Sequence, residues 1–163
     1  MSKYVFLALI VLSINVYSQR LENHLGIGFG TLEKGFKNGS WLYYYSNNRK
    51  EIKYKVNYLN DTIIGEVLGY WENGGLKFSC RYEKGKINGT VCFYNLKGSL
   101  LIKAQFVDNI LEGKLYEYYD SRRLKKELLF DKGKLNGLSS AFYDRSMNNI
   151  LCCNRKITMH SFR

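Results

Sequence analysis

The sequence predicts an all-β fold: an open, single-layer antiparallel β-meander built from about five 24-residue repeats of two strands each. Three observations predict this fold. Glycines recur every 24 residues after a first interval of 26, an aromatic residue follows each glycine by five positions, and the segments between them alternate apolar and polar side chains. A fixed period of this kind is typical of proteins that stack one small unit. The recurring glycines are Gly39, Gly65, Gly89, Gly113 and Gly137.

The N-terminus reads as an export signal. Within residues 1–18, Lys3 supplies a positive charge, Val5–Leu12 supplies an apolar stretch, and Ser18 is a small residue at the cleavage position. The apolar stretch is too short to span a bilayer, which needs about 20 residues. A buried first strand is the alternative. We therefore expect an exported chain, periplasmic, envelope-associated or secreted, in which residues 19–30 form a linker or cap.

The repeat region, residues 31–143, shows the same order of events in each unit. A glycine opens a short first strand, as in Gly89–Tyr94, and a first turn follows nine residues after that glycine. Glycine and asparagine tolerate the positive φ that such turns require. The residues at this turn are Gly74 and Gly98, with Asn48, Arg122 and Ser146 as substitutes.

The second strands of the units alternate, as where Val56 and Tyr58 flank the polar Asn57, although Lys126 breaks the alternation in the fourth repeat. A period of two predicts a strand with one apolar and one polar face. The short connections leave no room for a helix or a parallel crossover, so the strands must pair antiparallel. A second turn closes the units at Gly35, Asp61, Gly85, Asn109 and Gly133.

Three segments resemble MORN repeats, in particular the variant MORN-like repeats of bacterial proteins: Tyr70–Leu76, Tyr82–Gly89 and Lys132–Gly137. The resemblance covers about residues 31–143. It implies a meandering open sheet and a part in protein–protein contact, scaffolding or membrane association. Many bacterial members carry an antitoxin label, so an antitoxin-like partner protein is one alternative. The later units depart from the pattern at Asn95, Arg122 and Ser146.

Two rows of aromatic residues are candidate partner-binding surfaces, for a protein partner or for self-association. Aromatic faces with a polar group suit such contacts, whereas the alternative is self-packing within a repeat core. The first row is Tyr44, Tyr70, Tyr94, Tyr118 and Phe142. The second row lies one residue later, on the other side of the strand, at Tyr45, Trp71 and Tyr119.

A set of basic residues in the second strands is a candidate site for anionic ligands. Alternation predicts that they share the polar face, which would attract anionic lipid or acidic polysaccharide. Nucleic acid is disfavoured for an exported chain. The alternative is a solvated face that keeps a long sheet soluble. The set is Lys53, Lys55, Lys77, Arg81, Lys103 and Lys125.

The sequence disfavours an enzyme. His24 and His160 lie outside the repeats, and most aspartates fall at turns. We expect no catalytic residue, no metal and no cofactor. The disulfide state stays open, because four cysteines allow three connectivities: Cys80, Cys92, Cys152 and Cys153. We therefore expect an exported, non-enzymatic protein-binding or scaffolding module with a basic tail at 144–163; a peripheral envelope protein is a further alternative.

Overall fold

A computed structural model describes residues 28–46, 49–137, 139–144 and the backbone of 157–159. The predicted signal peptide lies outside the described residues, as do both histidines, Cys152 and Cys153, and the predicted turn residues Asn48 and Ser146.

The predicted fold class is confirmed, because the described elements are all strands and all pair antiparallel in one open sheet. The order of strands in the sheet follows the chain, and the two-residue strands β6 and β11 pair with β5 and β10 ahead of β7 and β12. The strands are β1 (Gly28–Glu33), β2 (Phe36–Tyr44), β3 (Ile52–Leu59), β4 (Thr62–Tyr70), β5 (Leu76–Glu83), β6 (Lys86–Ile87), β7 (Gly89–Tyr94), β8 (Leu100–Val107), β9 (Ile110–Tyr118), β10 (Leu124–Asp131), β11 (Lys134–Leu135), β12 (Ser139–Ala141) and β13 (Ile157–Met159).

Three of the recurring glycines, Gly39, Gly65 and Gly113, lie at bulges inside the first strands. Gly89 opens β7, and Gly137 lies between β11 and β12. All five have positive φ, from 67° at Gly65 to 99° at Gly89. In β3 and β4 the register advances two residues from Lys55 to Asn57 but four residues from Ile64 to Leu68 on the partner strand. The prediction that the glycine opens the strand is wrong for β2, β4 and β9, which begin three residues earlier. The glycine is needed there because the bulge requires a backbone conformation that L side chains rarely adopt.

The turns that close the units lie along one edge of the sheet. The predicted turn residues Gly35, Asp61, Gly85, Asn109 and Gly133 all have positive φ, and so does the residue before each of them. Two successive positive φ values define type I′ turns, whose twist matches that of paired strands. We call this edge the I′ edge.

The other turns lie along the opposite edge, which we call the aromatic edge because of the rings beside the turns. Gly74, Gly98 and Arg122 have positive φ there, as predicted, and Arg49 takes that conformation in the first repeat. A second recurring bulge follows each turn. Tyr44 pairs with Ile52 and Tyr43 with Tyr54, so that Lys53 between them has no opposite residue.

One face of the sheet, the core face, carries the buried side chains. Val56 and Tyr58 are 0% and 2% exposed whereas Lys55 is exposed, so the predicted alternation holds through the middle of β3. The rings pack on one another along this face; those of Trp41 and Tyr58 have centroids 6.2 Å apart. The core extends across the repeats through Val67, Cys80, Tyr82, Val91, Ala104, Phe106, Leu111, Leu115 and Phe130.

Glycines on neighbouring strands make room for the largest rings. A Cβ on Gly28 would lie 2.3 Å from the ring of Tyr43, and one on Gly30 would lie 2.5 Å from that of Trp41. These two β1 glycines therefore leave the space that the Tyr43 and Trp41 rings of β2 occupy. The two described cysteines are free: Cys80 faces the core, whereas Cys92 pairs with Ser79 on the outer face.

Candidate binding surfaces

The second aromatic row ties the repeats together along the aromatic edge. The Tyr45 hydroxyl donates a 2.6 Å hydrogen bond to the backbone carbonyl of Tyr70 in the next repeat. The Trp71 indole N–H donates to the carbonyl of Tyr94 at 3.3 Å. The Tyr119 hydroxyl donates to the carbonyl of Phe142 at 2.7 Å. The polar group of each candidate ring thus satisfies a backbone acceptor.

Lysines of the basic set lie over the faces of the same rings. The Lys77 Nζ is 4.4 Å from the centroid of Trp71. Lys53 Nζ lies 5.7 Å from Tyr45, and Lys125 Nζ lies 5.5 Å from Tyr119. These three lysines occupy the unpaired bulge position after the turn. The bulge interrupts the alternation and directs them to the edge rings, where cation–π attraction holds them.

The third repeat lacks this pair of residues. Asn95 replaces the ring and Leu101 replaces the lysine. Asn95 Nδ2 instead donates a 3.0 Å hydrogen bond to Asp120 in the next turn. At this edge, a side-chain hydrogen bond therefore links each described repeat to the next. The donor is an aromatic side chain in three repeats and the Asn95 amide in the third repeat.

The lysines of the edge influence one another. Burial lowers the pKa of Lys77, and the positive charge of Lys53 lowers it further. Lys125 donates a hydrogen bond to the Glu117 carboxylate and also lies over the Tyr119 ring. Partial burial, with Glu72 as a second cause, raises the pKa of Tyr45. Lysine, carboxylate and aromatic side chains therefore interact electrostatically along the aromatic edge.

The first aromatic row is half-buried in every repeat. The rings of Tyr44 and Phe29 have centroids 6.0 Å apart, and those of Tyr118 and Tyr116 are 6.5 Å apart. Neighbouring rings thus cover part of this row. Neither aromatic row stands fully bare.

The remaining basic candidates, Lys55, Arg81 and Lys103, are exposed on the outer face. Arg81 lies opposite Glu66 in the register, and its Nε is 3.5 Å from Glu83. An open depression of about 470 Å³ lies beside Arg81, between Gly89 and Gly113. Carboxylates dilute the positive charge of this face, and the bulges separate these three residues from the lysines of the aromatic edge.

The I′ edge carries most of the exposed apolar surface. Six of the nine large exposed apolar residues in the described part of the chain lie on this edge, within two residues of a type I′ turn, and they are 46% to 59% exposed. Sequence reasoning missed them because it treated the turn residues alone. The available signal was an apolar residue beside the turn, where a polar one is expected. We call this group the I′-edge apolar set: Leu32, Phe36, Leu59, Val107, Ile110 and Leu135.

The first repeat carries a further cluster on the core face. The Lys37 Nζ lies 5.2 Å from the ring centroid of Trp41 and 5.0 Å from that of Tyr58. It lies 5.9 Å from the centroid of Tyr43, at the hydroxyl end of that ring. The hydroxyls of Tyr43 and Tyr58 are 2.9 Å apart and hydrogen-bonded. The Trp41 indole N–H donates to the carbonyl of Thr31 on β1. We call this group the first-repeat cage.

No three histidine, cysteine, aspartate or glutamate side chains of the described residues are grouped closely enough to hold a metal ion. Within the same residues, no helix is long and apolar enough to cross a membrane. No family model matches the chain, and no curated protein matches it significantly.

Proposed function

We propose that this chain is an exported, non-enzymatic repeat protein that binds a protein partner through its I′ edge. The observation that carries the proposal is the I′-edge apolar set, which includes the cross-strand pair Val107 and Ile110, 54% and 48% exposed. Exposed apolar side chains flank four of the five turns of this edge, and exposed apolar groups of this kind are a feature of protein contact sites. The opposite edge is less suited, because its rings already bind the neighbouring repeats.

The charge along the I′ edge supports a protein partner over an anionic membrane. The charged residues that lie in the five turns or directly next to them are five lysines and five carboxylates, which balance: Lys34, Lys84, Lys86, Lys132 and Lys134 against Glu33, Asp61, Glu83, Asp108 and Asp131. Attraction to anionic lipid needs an excess of lysine or arginine. A mixed polar rim around apolar contacts instead suits a protein interface.

The repeat resemblance belongs to the same proposal: we regard the chain as a variant MORN-like repeat protein. The 24-residue hairpin unit with its turn and bulge glycines supports that assignment. The carboxylates support a non-enzymatic part, since the Asp61 and Glu112 side chains accept hydrogen bonds from backbone amides of neighbouring hairpins. Such carboxylates are structural groups.

Site-specific photo-crosslinking in the source cells tests the partner surface. A benzophenone amino acid at position 107 should capture a protein of defined mass, and the same probe at Leu96 on the opposite edge should not. Leu96 is the matched control because it is 62% exposed. Equal capture at both positions, or capture at neither, would refute the proposed surface. The mass of the mature chain tests export separately, because cleavage after Ser18 leaves Gln19 as the first residue.

A further inference from the structure

We propose that the first-repeat cage is a binding site for a methylated ammonium group, and that the ammonium of Lys37 occupies it in the free protein. The inference concerns a small cationic ligand on the core face. It is independent of the partner surface proposed for the I′ edge.

The cage residues depart together from the repeat. Counted from the recurring glycine, the positions of Lys37 in the next three repeats hold Ile63, Ile87 and Leu111, each at most 6% exposed. The positions of Trp41 hold Val67, Val91 and Leu115, which are at most 3% exposed. Aliphatic side chains therefore suffice for packing at both positions. A lysine and a tryptophan replace them in one repeat only, and the two are in contact there.

The Lys37 ammonium does not lie close to any of the three ring centroids. The three nitrogen-to-centroid distances lie between 5.0 and 5.9 Å, near the outer limit of about 6 Å for a cation–π contact. A carbon in van der Waals contact lies about 3.5–4.0 Å from a ring. A methyl group on the nitrogen would therefore come within contact distance of the Trp41 and Tyr58 rings while the nitrogen stayed where the Lys37 ammonium lies.

The electrostatics of the cage select a soft cation. No carboxylate of the described residues forms an ion pair with Lys37. The nearest polar contact of its ammonium is a long 3.4 Å hydrogen bond to the Tyr43 hydroxyl. Aromatic rings without a carboxylate favour a weakly hydrated, methylated cation over a strongly hydrated ammonium or sodium ion. Quaternary ammonium groups are the ligands that aromatic cages recognise.

The wall residues are held in place before any ligand arrives. Gly28 and Gly30 give the rings of Tyr43 and Trp41 their positions over β1, and the hydroxyl pair fixes Tyr58 against Tyr43. The cage is therefore preorganised, which lowers the cost of binding. In the free protein the three rings are at most 8% exposed, so the Lys37 side chain must move aside before a ligand reaches them.

Titration with tetramethylammonium chloride, against sodium chloride at equal ionic strength, tests the site. Trp71→Phe leaves Trp41 as the one tryptophan, so indole fluorescence then reports on the cage. In that background we expect saturable binding with a dissociation constant of about 1 mM. Lys37→Ala should tighten it by roughly tenfold, because a tethered competitor is removed. An equal response to both salts, or no saturation in either protein, would overturn the proposal.

A second pair of proteins keeps the test independent of that variant's stability. Saturation-transfer NMR on the wild-type chain should show the tetramethylammonium methyl signal, and Trp41→Val should abolish it. Valine is the residue at this position in two other repeats, so this variant is expected to fold. A signal retained in Trp41→Val would refute the cage. Competition with choline, a trimethyl-lysine peptide and phosphatidylcholine vesicles then distinguishes a free metabolite, a protein and a lipid headgroup as the source of the group.

Discussion

Glu117 and Lys126 face each other across β9 and β10 on the core face, with the Lys126 Nζ 3.0 Å from Glu117 Oε2. Lys125 Nζ contacts the other oxygen of the same carboxylate. The apolar alternation of β10 breaks at Lys126, and the partner strand supplies the compensating charge. This ion cluster takes the place that Tyr54 and Phe78 fill in earlier repeats.

Replacing the carboxylate should destabilise the protein at neutral pH. Burial alone would raise the pKa of Glu117, but hydrogen bonds from Lys125 and Lys126 outweigh it and lower the pKa below the ordinary 4.5. The unfolded chain therefore binds this proton more readily, so the stabilisation is present above the ordinary value and is lost as pH falls through the folded-state pKa. We expect Glu117→Gln to cost about 1 kcal/mol at pH 7, kept small by solvent screening.

Urea unfolding of both proteins between pH 3 and pH 7 measures this effect. The difference between wild type and variant should shrink towards the acid end. Glu127→Gln, which removes an outer-face ion pair with Lys114, should give a smaller change at pH 7. A difference that grew on acidification would contradict the assignment.

Tyr82→Phe should stabilise the protein. The Tyr82 side chain is 1% exposed, and its hydroxyl has no hydrogen-bond partner among the described residues. Burial raises the pKa of Tyr82. Phe106 and Phe130 hold the same position in the next two repeats, so a phenyl ring fits there. Removing an unsatisfied buried hydroxyl should gain about 1 kcal/mol, measured as a higher urea midpoint.

Tyr58→Phe is the control for that prediction. The Tyr58 hydroxyl is bonded to that of Tyr43, so its removal should destabilise the chain. If both variants lost stability equally, the Tyr82 hydroxyl would have an unrecognised partner.

Gly113→Ala should destabilise the chain through its backbone alone. Gly113 has φ of 74°, and nothing lies within 4 Å of a Cβ built there. A left-handed conformation costs an L residue roughly 1–2 kcal/mol. Gly113→Asn should recover part of that loss, because asparagine tolerates this region. Chemical denaturation of the two variants decides the matter, and an alanine variant as stable as wild type would refute the requirement.

Lys53→Met should raise the pKa of Lys77. The Lys77 pKa is lowered first by burial and then by the charge of Lys53, and only the second cause is removed. Because the folded-state value lies below the unfolded one, stability rises with pH across that interval, and the variant should show less of this rise. NMR titration of the Lys77 side chain provides the measurement. Lys55→Met, on the exposed outer face, should leave it unchanged.

The fold was predictable because each recurring residue has a local backbone requirement. Gly85 and Asn109 indicate turns because they tolerate positive φ, and the alternation in β8 predicts which face of that strand is buried. The bulges were not predictable, because the pattern does not reveal that Lys53 and Lys77 lie at positions with no opposite residue in the strand register. Because of the bulge, Lys53 and Lys77 lie over the rings of Tyr45 and Trp71. Predicting these contacts requires knowing the register of two paired strands. The cage was not predicted for a related reason. Its residues come from β2 and β3, and the apolar pattern alone gives no role to a lysine at position 37.

The ties along both edges bear on how the molecule would respond to force. In the described part of the chain, four of the I′ turns each donate a backbone hydrogen bond to the preceding unit, as from Gly85 to Ile63 and from Gly133 to Leu111. Pulled from its ends, the sheet would therefore yield one hairpin at a time from the outside inward. Each release would lengthen the chain by about 70 Å, because 24 extended residues span about 80 Å and the folded two-strand unit already spans about 10 Å. The stretched length would therefore increase in nearly equal steps, one for each unit that opens.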